Sequence, residues 1–149
     1  MNIYTDGATS FNGTEKAIGG WAYVIIDEDD QIITGDYGNI IGTTNNICEM
    51  TAIINGCMAA SEMEGIHTVY SDSSYCINCY EQKWYRRWQE NGWINSSSKP
   101  VANKALWEQL IPFFESEKFI FKKIKGHSTN KWNNYVDKKA VEAKEKIVG

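Results

Sequence analysis

Residues 1–40 read MNIYTDGATS FNGTEKAIGG WAYVIIDEDD QIITGDYGNI, and three runs inside this stretch decide the fold. Residues 2–6, 21–27 and 32–40 are rich in β-branched and aromatic side chains. A glycine-bearing segment over 7–20 and the acidic turn Asp27, Glu28, Asp29 and Asp30 separate them, which predicts an antiparallel meander. Beyond it the apolar period lengthens. Cys48, Ala52, Ile53, Gly56, Cys57 and Ala60 recur at helical spacing, predicting a helix over 45–63 with Thr44 or Asn45 as its cap. A strand over 66–71, helices over 73–81, 84–90 and 103–116, a strand over 119–125 and a last helix over 133–146 complete the order. Strands joined through helices pair in parallel, so the expected fold is α/β, a meander continuing into parallel neighbours through helical crossovers.

With 149 residues and 16.9 kDa, the chain suits one domain over 1–149 with one core. Neither a low-complexity tract nor a solenoid-period repeat interrupts it. The start, MNIYTDGA, lacks the basic end and apolar stretch of a secretory signal, and no apolar run approaches the roughly 20 residues that span a bilayer. A cytoplasmic protein is expected, with Cys48, Cys57, Cys76 and Cys79 as reduced thiols. Cys76 and Cys79 form a lone CxxC without a second pair, so structural cysteines are the better reading. A net charge of -4 argues against indiscriminate polyanion binding, leaving local basic patches for any nucleic acid.

Four acids stand in distinct settings: Asp6 in IYTDGA, Glu49 in TTNNICEMTA, Asp72 in TVYSDSSY and Asp137 in NNYVDKKA. Asp6 and Asp72 each close a strand-like run, where open α/β sheets gather their chemistry. Glu49 falls on or beside the apolar stripe of its helix, and Asp137 shares a face with Asn133, Ala140 and Val141. Singly, each acid reads as a cap, a surface charge or a salt bridge. Together they offer the oxygen donors that magnesium prefers, and two such ions would clamp the attacking and leaving oxygens of a phosphoryl displacement. The acids of the turn at 27–30 are consecutive in a polar hairpin tip, where solvated charge is the better explanation. Lys138 and Lys139 either neutralise the site, touch phosphate or face solvent.

The ordered set TDG, TTNN followed by CEM, SDSSY, KGHS and NNYVDKKA, with WYRRWQENGW between the third and fourth, resembles type 1 ribonuclease H (ribonuclease HI) across nearly the whole chain. The resemblance implies a five-stranded mixed sheet, a three-strand antiparallel meander plus two parallel strands, flanked by helices. It also implies an endonuclease that hydrolyses the RNA strand of RNA–DNA hybrids with two Mg2+ ions, Mn2+ being the alternative, and leaves 5′-phosphate and 3′-hydroxyl ends. By the same resemblance Asp6 contacts both ions, Glu49 and Asp72 hold the ion nearer the leaving group, and Asp137 holds the ion that activates water. His127, in Gly126-His127-Ser128-Thr129, looks like the family's mobile loop histidine, with a role in proton transfer or product release.

Asn45 and Asn46 resemble the family's hybrid-contacting asparagines, whose amides suit a 2′-hydroxyl that both donates and accepts; helix capping is the plainer role for Asn45. Ser74 stands two residues after the third acid, where the family often has glutamine. Lys83, Trp84, Arg86, Arg87, Trp88, Trp93 and Lys99 look like the basic protrusion that grips the DNA strand. Trp84 and Trp88 lie one helical turn apart, which predicts core packing for at least one and leaves phosphate contacts to the arginines. Gln89, Glu90 and Asn91 occupy a stretch that is often basic, so weaker binding and a shallow salt dependence are expected. The first loop lacks a Gly-Pro-Gly pattern and carries Glu15 and Lys16. The expected partner is an RNA–DNA hybrid, with no membrane, no obligate protein partner and a monomeric state. Two rivals remain: a DNA-cutting nuclease of the same superfold, disfavoured by TTNN and the Trp-rich stretch, and a catalytically silent hybrid-binding module, disfavoured by the intact acids.

Overall fold

In the computed structural model, which describes residues 1–125 and 129–147, the meander forms as β1 (Asn2–Ser10), β2 (Ile18–Ile26) and β3 (Ile32–Ile41). Both strands of the first hairpin outrun the sequence reading. The antiparallel ladder continues through Gly7↔Trp21, Ala8↔Gly20, Thr9↔Gly19 and Ser10↔Ile18, so the connection shrinks from 7–20 to 11–17. Asp6 therefore lies inside β1 rather than at its end. The glycines that suggested a loop are instead places of close approach. A Cβ on Gly7 would stand 2.8 Å from both the Cys48 Cβ and the Glu49 nitrogen, and one on Gly20 would collide with the Ala140 carbonyl oxygen.

The remaining elements follow as α1 (Asn45–Ala60), β4 (His67–Ser71), α2 (Ser74–Gln82), α3 (Trp84–Asn91), α4 (Lys104–Phe114), β5 (Phe119–Lys123) and α5 (Lys131–Glu145). Strand order is β3-β2-β1-β4-β5, with β1–β4 and β4–β5 parallel, which is the predicted mixed sheet. Helix α1 stops short of the predicted residue 63. The Ser61 N–H turns back to Met58 O at 3.3 Å and the Met63 N–H to Ala60 O at 2.9 Å, and Gly65 then takes φ 94°.

Strand alternation divides the core between the two faces of the sheet. Ile3, Ile25 and Val69 pack with Ile53, Trp107 and Leu110 on the side of α1 and α4, whereas Tyr4, Ala22, Val24 and Ile26 meet Trp132, Val136 and Ala140 of α5 on the other. Each fully buried aliphatic side chain is worth roughly 1.5–3 kcal/mol. The acidic turn has a structural role as well. Asp30 accepts from the Trp132 indole at 2.6 Å and pairs with Lys131 at 3.2 Å, tying the first turn of α5 to the β2–β3 hairpin. All four cysteines are buried free thiols, and among the described residues no helix is long and apolar enough to cross a membrane.

Candidate active site

Strands β1 and β4 run side by side in the register Ile3↔Val69 and Tyr4↔Tyr70. Carried two residues further, that register sets Asp6 opposite Asp72, just beyond the end of β4. Stacking of Tyr4 on Tyr70, with ring centres 4.8 Å apart, and a 2.9 Å hydrogen bond from the Thr5 hydroxyl to the Tyr70 carbonyl hold the strands together below the acids. The parallel β1–β4 ladder ends at Tyr4, two residues before Asp6, while the antiparallel pairing of β1 to β2 runs on past it.

Helix α1 supplies the third carboxylate. Thr44 caps it, its hydroxyl accepting the Ile47 N–H at 3.2 Å, and the helix then crosses β1 in contact at Gly7. That contact leaves Glu49 beside Asp6, with only 3% of its surface exposed. Oxygens of Asp6, Glu49 and Asp72 lie within 4.8 Å of one another. Helix α5 brings the fourth acid. Its cap, Asn130, accepts from the N–H groups of Trp132 and Asn133, both at 2.9 Å, and packing of Val136 and Ala140 on β1 and β2 turns Asp137 into hydrogen-bonding range of Asp6.

Such crowding changes the acids' chemistry. Burial, then the charge of Asp72 and the contact with Asp137, pushes Asp6 from its ordinary 3.8 up to about 8. Burial and then the charges of Asp6 and Asp72 push Glu49 well up too, and burial raises Asp72. One counteracting contact is the Gly7 N–H, which donates to Asp6 Oδ1 at 2.9 Å. The Glu49 Oε2 atom is buried without a hydrogen-bond partner. An all-oxygen donor set containing a buried, unsatisfied carboxylate oxygen fits a hard divalent cation, which would supply the missing partner and offset the repulsion.

The acids form one wall of a cleft of about 330 Å³ that is also lined by Asn45, Asn46, Ser73, Ser74 and Asn133. Of the substrate residues expected from sequence, Asn45, Asn46 and Ser74 therefore join the acids. Lys83, Trp84, Arg86 and Arg87 line a separate groove of about 1000 Å³, and Lys99 is exposed beyond it on the connection to α4. Trp88 packs on the fully buried Trp107 with ring centres 5.7 Å apart, and Trp84 packs on Trp88, so the protrusion is rooted in the core. Arg86 is already engaged, donating to both carboxylate oxygens of Glu115 at 3.4 and 3.3 Å. Lys139 leans over Tyr37 and Tyr135 and reaches Glu142 at 3.9 Å. His127 lies outside the described residues.

Residues that the sequence reading did not assign to the site also shape the cleft. Asn133 is buried on its wall, one helical turn before Asp137, and its side-chain amide donates to the Lys125 carbonyl at 3.4 Å. Its shared face with Asp137 was the available signal. Asn12 accepts the Asn45 N–H at 3.1 Å, a contact between a loop and a helix that no local pattern encodes.

The family model described as RNase H matches residues 1–145. The chain is 42% identical over 142 residues to a protein named Ribonuclease H from Clostridium botulinum, covering 95% of this chain and 93% of that one. Among solved structures, a foamy viral protease-reverse transcriptase in complex with dsDNA aligns with TM-score 0.84 at 20% identity, covering 97% of this chain and 94% of that one. LC11-RNase H1 in complex with an RNA/DNA hybrid aligns with TM-score 0.69 at 23% identity, covering 99% of each chain.

Proposed function

Since the chain belongs to the RNase H family, we propose that it is an endoribonuclease that hydrolyses the RNA strand of RNA–DNA hybrids and leaves 5′-phosphate and 3′-hydroxyl ends. The observation that supports this most strongly is the convergence of the buried Asp6 and Glu49 with the half-buried Asp72, within 4.8 Å, at a cleft that also presents Asn45 and Asn46. Asp6, Glu49, Asp72 and Asp137 would hold Mg2+, with Mn2+ the other hard ion suited to the set. Two such ions, when bound, supply the charge that steadies the attacking and leaving oxygens of an in-line displacement and lower the pKa of water.

The protein's own groups perform the selection and placement. Asn45 and Asn46 sit on the first turn of α1, and their amides offer both donors and acceptors to a 2′-hydroxyl, which a DNA strand lacks. Ser74, at the start of α2, borders the same cleft. The DNA strand rests on the protrusion, where Lys83, Arg87 and Lys99 neutralise phosphates, Arg86 does so in competition with Glu115, and Trp84 borders the groove. His127 serves proton transfer or product release, as its place in the sequence motif implies. The protein acts as a monomer in the cytoplasm.

Incubation with end-labelled RNA–DNA hybrid, duplex RNA, duplex DNA and single-stranded RNA, each with Mg2+ or with chelator, tests the proposal. Metal-dependent cleavage of the hybrid's RNA strand alone is expected. Cleavage of duplex DNA, or hybrid binding without cleavage in either metal, would overturn it.

A further inference from the structure

Phe11 follows β1 directly and opens the loop over 11–17. Its φ of 58° is left-handed, a conformation that bulky side chains avoid, and its side chain is 62% exposed. Trp93 is the one other aromatic with positive φ among the described residues, at 65°. The Trp93 ring is well packed, however, 5.9 Å from Trp88 and beneath the Lys104 ammonium. Phe11 makes no ring or cation contact among the described residues, so its ring is left largely uncovered in the folded protein.

Specific contacts impose this conformation. The N–H and hydroxyl of Thr14 both donate to the Phe11 carbonyl, at 3.1 and 2.6 Å. The next residue, Asn12, accepts the N–H of Asn45, which lines the acidic cleft. The loop that strains Phe11 is thus fastened to the cleft rim. Along β1 the ring stands five residues past Asp6, about 16 Å away, well within one helical turn of a duplex seated on the acids.

We propose that Phe11 is a substrate-contacting residue whose ring lies against the sugars of the RNA–DNA hybrid in its wide, shallow minor groove, an apolar contact that complements the hydrogen bonds of Asn45 and Asn46. The inference rests on the proposed hybrid-cleaving function. A left-handed backbone that holds an uncovered ring beside the cleft is expected where a ligand completes the packing.

The test compares Phe11→Asn, which removes the ring but readily adopts left-handed backbone, with Phe11→Tyr, which keeps the ring. Melting temperature is read alongside KM and kcat on a short RNA–DNA hybrid in Mg2+. Phe11→Asn is expected to melt higher than the unmodified chain and to raise KM about fivefold, the size of one aromatic contact, with kcat changed less than twofold. Phe11→Tyr is expected to keep KM within twofold. An unaltered KM in Phe11→Asn, or an equal rise in Phe11→Tyr, would overturn the inference while leaving the function standing. Failure of the unmodified chain to cleave the hybrid would overturn both.

Discussion

Replacing Asp6 with Asn should make the metal-free protein more stable, because the acidic cleft holds negative charge against the interest of the fold. Asn keeps the size of Asp and can still accept the Gly7 N–H through its Oδ1, so the exchange isolates charge from shape. Two ionised carboxylates 4.8 Å apart repel by about 3.5 kcal/mol at an effective dielectric of about 20, and Asp6 faces both Glu49 and Asp72. The raised pKa of Asp6 sets a ceiling on the same penalty. In the unfolded chain Asp6 ionises near its ordinary 3.8, whereas in the folded chain it does so at about 8. At about 1.4 kcal/mol per pH unit, that difference amounts to about 6 kcal/mol at most. About 3 kcal/mol is the expected gain at pH 8.

The sign follows from proton counts. Between pH 3.8 and 8 the folded state binds more protons at this group than the unfolded state, so metal-free stability falls as pH rises through that window and levels off above it. Asp6→Asn removes the fall. Thermal unfolding in EDTA should therefore show the variant melting about 6–12 °C above the unmodified chain at pH 8, and within about 2 °C of it at pH 4. Mg2+ should reverse the order, stabilising the unmodified chain by mass action and the variant much less. An Asp6→Asn protein no more stable than the original at pH 8 in EDTA, or equally stabilised at pH 4, would refute the buried-repulsion account.

Other substitutions separate the roles of the remaining groups. Asp72→Asn should reduce hybrid cleavage in Mg2+ at least about a thousandfold while leaving hybrid binding in place, checked by single-turnover rates and by fluorescence anisotropy; a normal rate would remove Asp72 from the reaction. Glu115→Gln frees Arg86 from its ion pair and should steepen the fall of log binding constant with log salt by about 0.9, the release of roughly one more counterion, on an otherwise shallow slope. His127→Ala should slow turnover more than it weakens hybrid binding, as judged from kcat against Kd. His67 is fully buried with its Nε2 at 3.1 Å from the Met63 carbonyl, and burial holds its pKa below the ordinary 6.5. The unfolded chain therefore takes up a proton first as pH falls below 6.5, and His67→Leu should remove a stability loss of at most about 1.4 kcal/mol per pH unit, measured by urea unfolding at pH 7 and pH 5.

The elements were legible because each carries a local period, and the acids because each sits in a short, specific motif. What sequence could not supply was distance. Gly7, Gly19 and Gly20 looked like loop residues because glycine is poor in strands, yet all three lie in the β1–β2 ladder, with Gly7 and Gly20 kept small by helices packed across them. That same close packing brings Glu49 and Asp137 to Asp6, so the misread glycines and the acidic site have one cause. The Arg86–Glu115 pair and the Asn12–Asn45 bond span 29 and 33 residues, and no periodicity encodes such contacts.

The site also explains why a strongly acidic cluster and a net charge of -4 are compatible with the proposed polyanionic partner. Asp6 and Glu49 have their pKa values raised mainly by burial, so much of the cluster's charge is suppressed by protons until a cation replaces them. In the proposed complex the phosphate backbone would then meet neutralised acids on one side and the lysines and arginines of the protrusion on the other. Metal binding must release protons in this arrangement, since ions and protons compete for the same oxygens. Mg2+ affinity measured by calorimetry should accordingly rise from pH 6 to pH 8, and the heat should vary with the buffer's ionisation enthalpy. Affinity independent of pH, with no buffer dependence, would mean that the carboxylates stand ionised without metal, and the stabilising effect predicted for Asp6→Asn would lose its physical basis.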